Sequence, residues 1–176
     1  MQLHWVLSGL GVVRAVTFNF INECAHEIQV YDNTVTAALC RSTTLGLACF
    51  DTEPIRKQHV SKELLYVHDA VVVAEFSVDL SMKRVWYDVS IVPPGSESCT
   101  NLEECLRRTN TTGFNVPLLI NPINYQHNVA PYNCHYRICY ENGCPDAYMF
   151  PTDDIKTMNC PLDTMFDVTF CPDLPP

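Results

Sequence analysis

Short apolar segments separated by turn residues run along most of this 176-residue chain. The segments are rich in Val, Ile, Phe and Tyr, which favour strands, and helical periodicity is weak. The pattern predicts an all-β sandwich. The predicted strands are Val16–Asn22, Ile28–Tyr31, Val71–Leu80, Val85–Val92, Phe114–Leu119, Ala147–Phe150 and Met165–Phe170. Helical turns are predicted only over Leu102–Arg108 and Ser61–Val67.

Two of these strands form a predicted hairpin with one polar face, because only about four residues around Ser81–Lys83 separate them. Strand alternation places five side chains on that face: Glu75, Ser77, Trp86, Asp88 and Ser90. One register makes Glu75 and Asp88 direct neighbours with Cβ atoms ~5 Å apart, and another leaves them diagonal at ~7 Å. The two carboxylates are either a candidate site or part of an ordinary solvated sheet face.

The N-terminus and the cysteines together indicate a secreted, extracellular protein. Residues 5–13 are uncharged and apolar and are followed by Ala15, so a signal peptide is predicted over residues 1–15 and one domain over residues 16–176. The ten cysteines contain no Cys-x-x-Cys, which favours disulfides over a redox pair or a zinc site. Asn110-Thr111-Thr112 is an N-glycosylation sequon in a polar stretch.

The charge of the chain narrows the classes of partner. Twenty Asp and Glu against eleven Lys and Arg give a net charge of −9, which argues against nucleic-acid binding and favours a sugar polymer or a basic protein surface. No apolar run reaches the ~18 residues that a membrane span needs. Phosphate-binding loops and metalloprotease motifs are absent from the sequence, so we expect neither a cofactor nor a metal. We also expect the chain to be a monomer.

Several segments, in order along the chain, resemble the thaumatin-like protein family. They are Val16–Cys24, Ala74–Ser77, Tyr87–Ser90, Gly113–Pro117, the Cys134 to Cys139 step, Cys144–Tyr148, Asp153-Asp154, Cys160-Pro161 and Phe170–Pro172. Residues 25–73 match poorly. The resemblance implies a thaumatin-like sandwich with Greek-key connections. Larger members of the family carry a disulfide-rich second domain between the cysteines that correspond to Cys139 and Cys144. Here only Tyr140–Gly143 separates them, so the chain resembles the small type of the family, which lacks most of that domain.

The resemblance also implies a set of disulfides. The pairs are Cys24–Cys171, Cys40–Cys49, Cys99–Cys105, Cys134–Cys160 and Cys139–Cys144. The Cys99–Cys105 bond would staple residues 94–112, an insertion that the usual family member lacks. We expect this insertion at the rim of the site.

The functional feature of the family is an acidic cleft formed by an Arg, a Glu and three Asp. The resemblance implies that Glu75 is the Glu and Asp88 the first Asp, while Asp153, or its neighbour Asp154, is the Asp near the C-terminus.

Two of the five cleft positions differ from the family pattern. Thr112 stands where the family has an Asp. Leu39 lies near the place of the Arg, and Arg41 is a weak substitute for it. The resemblance therefore implies an acidic cleft in which two of the five positions are changed.

Three functions follow as expectations. The first is a secreted defence protein that binds β-1,3-glucan or a related cell-wall polysaccharide, with Trp86 stacking on a sugar ring and antifungal activity as in many family members. The alternative is a secreted effector or inhibitor that binds a secreted or surface protein through residues 25–73 and 94–112. The second alternative is a weak endo-β-1,3-glucanase, with Glu75 as the acid and Asp88 as the second carboxylate.

Overall fold

The computed structural model describes residues 16–25, 72–125 and 130–173 with their side chains, and the backbone of residues 3–4, 28–31, 39–43, 46–49 and 63–64. These residues contain twelve strands. The strands are β1 Leu3–His4, β2 Thr17–Asn22, β3 Ile28–Tyr31, β4 Leu39–Thr43, β5 Gly46–Cys49, β6 Glu63–Leu64, β7 Val73–Asp79, β8 Arg84–Ser90, β9 Leu118–Pro122, β10 Arg137–Cys139, β11 Met158–Pro161 and β12 Met165–Phe170. The helices in the same residues are α1 Leu102–Thr109 and a 3-10 turn at Asp154–Lys156.

Two sheets share one aromatic core. One sheet has the strand order β1-β2-β12-β9-β10 and the other β11-β8-β7-β6, while β3, β4 and β5 form a third sheet. Phe18 and Phe166 of the first sheet meet Phe76 and Tyr87 of the second, with ring centroids 4.4 Å apart for Phe18 and Phe76 and 4.9 Å apart for Tyr87 and Phe166. All four side chains are buried. The predicted all-β sandwich is therefore confirmed.

Most predicted elements have their expected bounds. The strands β2, β3, β7, β8 and β12 begin and end within two residues of the prediction, and α1 extends its predicted range by one residue. Strand β1 lies inside the predicted signal peptide and pairs with β2. Cleavage after Ala15 falls outside the described residues, so the signal peptide stays a prediction.

Three predicted elements were wrong. The strand predicted at Phe114–Leu119 begins only at Leu118, because the preceding residues form a cap in which the Asn115 side chain accepts a hydrogen bond of 2.9 Å from the Val72 N–H. The segment Ala147–Phe150 is not a strand and makes a single bridge through Tyr148. The helical turn predicted at Ser61–Val67 is replaced at residues 63–64 by β6, and its other residues lie outside the described ones.

Disulfides close the sandwich at several points. The bonds in the described residues are Cys24–Cys171, Cys99–Cys105, Cys134–Cys160 and Cys139–Cys144, four of the five pairings implied by the resemblance. The register of β4 and β5 sets the backbones of Cys40 and Cys49 opposite each other, while their side chains lie outside the described residues. Because Cys24–Cys171 joins residues 147 positions apart, it can stabilise the fold by ~4–5 kcal/mol in the chain-entropy account.

Candidate functional site

The centre of the candidate site is a pair of directly opposed carboxylates. Strands β7 and β8 pair antiparallel in the register that sets Glu75 opposite Asp88, the first of the two predicted alternatives. Directly opposed residues have Cβ atoms ~5 Å apart and project from the same face of a sheet. Glu75 is half-buried and Asp88 is only 5% exposed, so the pair is withdrawn from bulk water. Two like charges held this close destabilise a sheet unless other groups compensate them.

An aromatic and cationic cluster continues the same face beyond the carboxylates. Trp86 lies opposite Ser77 on β7 and is half-buried. The guanidinium carbon of Arg84 lies 5.8 Å from the Trp86 ring centroid and 5.1 Å from that of Tyr132. Arg84 also donates a hydrogen bond of 3.2 Å to Asn159 Oδ1 on β11. Cation–π contacts of this kind hold the ring of Trp86 in a defined position.

Tyr148 brings the C-terminal acidic segment to this face. The backbone of Tyr148 bridges Ser90, and its N–H donates to Val89 O at 2.8 Å while the Ile91 N–H donates to its carbonyl at 2.9 Å. Bridged residues project from the same side of a sheet, so the phenol lies on the face of Ser90 and Asp88. Its hydroxyl lies 3.1 Å from Asp154 Oδ1 and makes a second hydrogen bond with Thr157 Oγ1.

The electrostatics of Tyr148 agree with this placement. Burial raises the pKa of the Tyr148 phenol, the hydrogen bond with Thr157 opposes that effect, and the negative charges of Asp88 and Asp154 raise the pKa again. The phenol therefore stays protonated at neutral pH and is a hydrogen-bond donor beside the carboxylates.

The two neighbouring aspartates of this segment have different environments. Asp153 is 4% exposed, and its carboxylate accepts a hydrogen bond of 3.4 Å from the Met149 N–H. Asp154 is exposed and contacts the Tyr148 hydroxyl. The carboxylate that reaches solvent near Asp88 is thus Asp154, whereas Asp153 supports the backbone of its own turn.

Two residues of this face, Arg84 and Tyr148, are missing from the five side chains that the sequence pattern assigned to it. Arg84 precedes Trp86 by two residues and Asp88 by four, so the same alternation rule assigns it to the shared face. Tyr148 lies in the predicted strand Ala147–Phe150 and in a segment that resembles the family, but nothing in its local pattern indicates a bridge to a strand 58 residues earlier.

The described residues contain neither a metal-binding cluster nor a helix suited to span a membrane. Across residues 16–25, 72–125 and 130–173 no group of three or more His, Cys, Asp or Glu side chains is arranged to hold a metal ion. None of the helices in that part of the chain has the length and apolar character of a membrane span.

Comparison with known proteins identifies relatives. No protein-family model matches the chain. The "Pathogenesis-related thaumatin-like protein 3.8" of Cryptomeria japonica is 30% identical over 101 aligned residues, which cover 34% of this chain and 45% of that protein. A "Thaumatin-like protein" of Oryza sativa subsp. japonica is 47% identical over 34 residues, 19% of each chain. This chain is related to the thaumatin-like proteins.

A further relative carries the name of an inhibitor. The "Alpha-amylase/trypsin inhibitor" of Zea mays is 45% identical over 47 residues, which cover 24% of this chain and 23% of that protein. The chain spans less than half the length of each of the three relatives.

The insertion of this chain packs on the short connection between Cys139 and Cys144. The Leu102 side chain of α1 lies 3.4 Å from the position that a Cβ would occupy on Gly143. Thr112, which replaces the expected Asp, donates a hydrogen bond of 3.2 Å from Oγ1 to Asn142 Oδ1. The insertion is therefore held against this connection at two points, the first residue of α1 and Thr112, which follows the helix.

Two of the positions compared with the family pattern are described only in part. Leu39 and Arg41 lie in β4, whose backbone alone is described. The role suggested for Arg41 thus concerns a side chain outside the described residues, and among the described side chains Arg84 is an arginine on the acidic face.

Proposed function

We propose that this chain is a secreted, thaumatin-like defence protein that binds β-1,3-glucan or a related cell-wall polysaccharide. The observation that carries the proposal is the direct opposition of Glu75 and Asp88 beside Trp86 on one sheet face. Asp154 is the third carboxylate of the proposed site, held by the hydroxyl of Tyr148.

The chemistry of the face suits a neutral sugar. Sugar hydroxyls donate hydrogen bonds to carboxylates, and such charge-assisted bonds are roughly twice as strong as neutral ones. The flat ring of Trp86 offers an apolar surface to the C–H face of a pyranose. The row from Asp88 through Trp86 to Arg84 spans four residues of an extended strand, or ~13 Å, so it suits several sugar units rather than one.

Binding to insoluble and soluble β-1,3-glucan tests this proposal. Because hydrogen bonds to charged groups contribute ~1.5–3 kcal/mol, we expect the double variant Glu75→Gln/Asp88→Asn to bind ~10- to 100-fold more weakly. The measurement is a pull-down with insoluble glucan together with calorimetric titration with laminarin, and chitin serves as the comparison polymer.

The matched control removes the same two charges elsewhere. Glu97 and Glu103 are exposed residues of the insertion, so Glu97→Gln/Glu103→Gln should leave glucan binding unchanged. Equal binding by the wild type and the Glu75/Asp88 variant would overturn the assignment of the site. Absence of binding by the wild type to every glucan tested would overturn the proposed function itself.

A second candidate function is binding to a secreted protein through the insertion. Its support is the internal bonding of residues 94–112. Asn101 Oδ1 accepts a hydrogen bond from the Glu104 N–H at the start of α1, and Cys105 is buried and bonded to Cys99. Stapled loops on rigid scaffolds commonly present binding surfaces. Exposed Glu103 and Arg107 provide charges of both signs.

Inhibition assays separate the two candidates. The inhibitor relative from Zea mays makes trypsin and α-amylase suitable probes. If the insertion binds a protein of this kind, Glu103→Ala/Arg107→Ala should weaken inhibition while glucan binding persists. Full activity of both enzymes at high concentrations of the wild-type chain would count against this candidate.

The opposed carboxylates also permit a weak endo-β-1,3-glucanase. Retaining glycosidases hold their two carboxyl groups ~5–5.5 Å apart, a separation that directly opposed side chains can reach. In this candidate Glu75 would protonate the leaving oxygen and Asp88 would stabilise or attack the sugar carbon. The assay is release of reducing ends from laminarin, and no release at high protein concentration would exclude this activity.

A further inference from the structure

Asn110 lies at the exposed end of α1 and begins the sequence Asn110-Thr111-Thr112. Its backbone is left-handed, with φ 52° and ψ 27°, and its N–H donates a hydrogen bond of 2.8 Å to Leu106 O. Asn tolerates this conformation better than most residues, which explains its place at the end of the helix. Because that contact uses only the backbone, the helix cap does not need the side-chain amide.

The side chain of Asn110 differs from other asparagines of the chain. Asn101 accepts a hydrogen bond from the Glu104 N–H, and Asn115 accepts one from the Val72 N–H. Within residues 16–25, 72–125 and 130–173, the Asn110 side-chain amide makes no such bond, and the residue is exposed. A group attached to its Nδ2 atom would therefore break no contact in the described part of the chain.

We propose that Asn110 carries an N-linked oligosaccharide. The sequence contains one Asn-x-Ser/Thr triplet without Pro at its centre, and this is the triplet. Disulfides in the described residues are typical of proteins that fold in the compartment where such sugars are added. The inference does not depend on glucan binding.

The donor of the sugar is an oligosaccharide linked to a lipid through pyrophosphate. Asn110 Nδ2 forms a bond to the anomeric carbon of the first sugar and loses one proton. The bond between that carbon and the phosphate oxygen breaks, and the lipid pyrophosphate leaves with the electron pair. No oxidant or reductant takes part in this transfer.

The glycan would stand beside the end of β8. Gly113 packs so closely on Ile91, the residue that follows β8, that a Cβ on it would lie 2.2 Å from Ile91 O. Asn110 is three residues from Gly113, so their Cα atoms are at most ~11 Å apart. A bulky, polar sugar at this point would shield the insertion and the adjacent strand end.

Expression in eukaryotic cells tests the proposal. The full-length chain is given a cleavable secretion signal, and the secreted protein is analysed. We expect the wild type to run as a larger species that peptide N-glycosidase converts to a smaller one, with Asn110 recovered as Asp by mass spectrometry. Asn110→Asp, which keeps a residue suited to the left-handed backbone, should lack the shift.

The sequon itself supplies matched controls. Thr111→Val alters the central position and should keep the glycan, whereas Thr112→Val should lose it. Thr112→Ser retains both the hydroxyl and the sequon and should restore the shift, which separates the loss of the sequon from loss of the Thr112 contacts with Asn142 and Phe114. Secreted wild type without the shift, or a shift that persists in Asn110→Asp, would overturn the proposal.

Discussion

The two faces of the β7–β8 hairpin differ sharply although they are built from alternate residues of the same strands. One face presents Phe76, Val85 and Tyr87 to the core, each no more than 5% exposed. The other presents Glu75 and Trp86, both half-buried, together with buried Asp88. The core face optimises apolar contact, whereas the open face holds like charges and a cation–π cluster that a stable sheet does not require. This contrast separates the residues that build the fold from Glu75 and Trp86, whose side chains remain partly accessible to a ligand.

The largest expected effect is on the core face. Phe76→Ala removes a ring that packs 4.4 Å from Phe18 and 5.3 Å from Phe166, measured between ring centroids. Because a buried Phe→Ala change leaves a cavity, we expect the free energy of unfolding to fall by ~3–5 kcal/mol. Denaturant titration with the disulfides intact measures this change.

The neighbouring residue provides the control. Ser77 follows Phe76 in sequence and projects from the open face, so Ser77→Ala should change the free energy of unfolding by no more than ~0.5 kcal/mol. Similar losses for the two variants would contradict the division into a structural and an open face.

The next effect is the sensitivity of the core face to alkali. Burial raises the pKa of Tyr87 to about 12 from 10.0, although the hydrogen bond to its oxygen from the His135 N–H opposes the shift. The unfolded chain therefore loses this proton at lower pH than the folded chain, so stability is complete below pH ~10 and falls as the pH rises towards 12. Two pKa units correspond to a loss of ~3 kcal/mol at most.

Tyr87→Phe isolates this contribution. The variant should be less stable than the wild type at neutral pH, because the His135 backbone loses its partner, but its stability should fall less between pH 10 and 12. Parallel pH profiles for the wild type and the variant would show that Tyr87 is not the titrating group.

A smaller effect is expected where the open face meets the C-terminal segment. Tyr148→Phe keeps the buried ring but removes the hydroxyl that contacts Asp154 and Thr157, so we expect a loss of ~1 kcal/mol in the free energy of unfolding. If Asp154 belongs to the binding site, glucan affinity should fall as well. Unchanged stability and affinity would show that the hydroxyl does not position this turn.

Much of the hairpin could be predicted from the sequence because its physics is local. Side chains alternate with a period of two, so one apolar and one polar face follow once the strand is recognised. Only the register remained open, since a four-residue link permits more than one pairing of Glu75 with β8. The structure selects the pairing with Asp88.

The rest of the site depends on contacts between distant segments. Tyr148 bridges Ser90 across 58 residues, and no local periodicity encodes that contact. The strand expected from Phe114 begins later because Asn115 and Gly113 are used to cap and cover β7 and β8. The resemblance implies either Asp153 or Asp154 as the C-terminal acid of the cleft. The burial of their side chains distinguishes them, because Asp153 is buried and Asp154 is exposed.

The smallest effect is expected at the hairpin tip, where the carboxylate of Asp79 caps the turn. Asp79 Oδ1 accepts hydrogen bonds from the Ser81 hydroxyl at 2.6 Å and from the Ser81 and Met82 N–H groups at 2.9 Å. These bonds, the Ser81 hydroxyl first, lower the pKa of Asp79, so their stabilisation is present above the ordinary Asp pKa and disappears as the pH falls through the lowered value. Asp79→Ala should therefore lower the unfolding midpoint slightly at pH 7, and the difference from the wild type should shrink below pH 4. Asp79 lies opposite Arg84, at the end of the proposed row that is farthest from Glu75 and Asp88, so Asp79→Ala should weaken glucan binding far less than the Glu75/Asp88 variant does. An equally large loss would show that charge anywhere on the face controls binding.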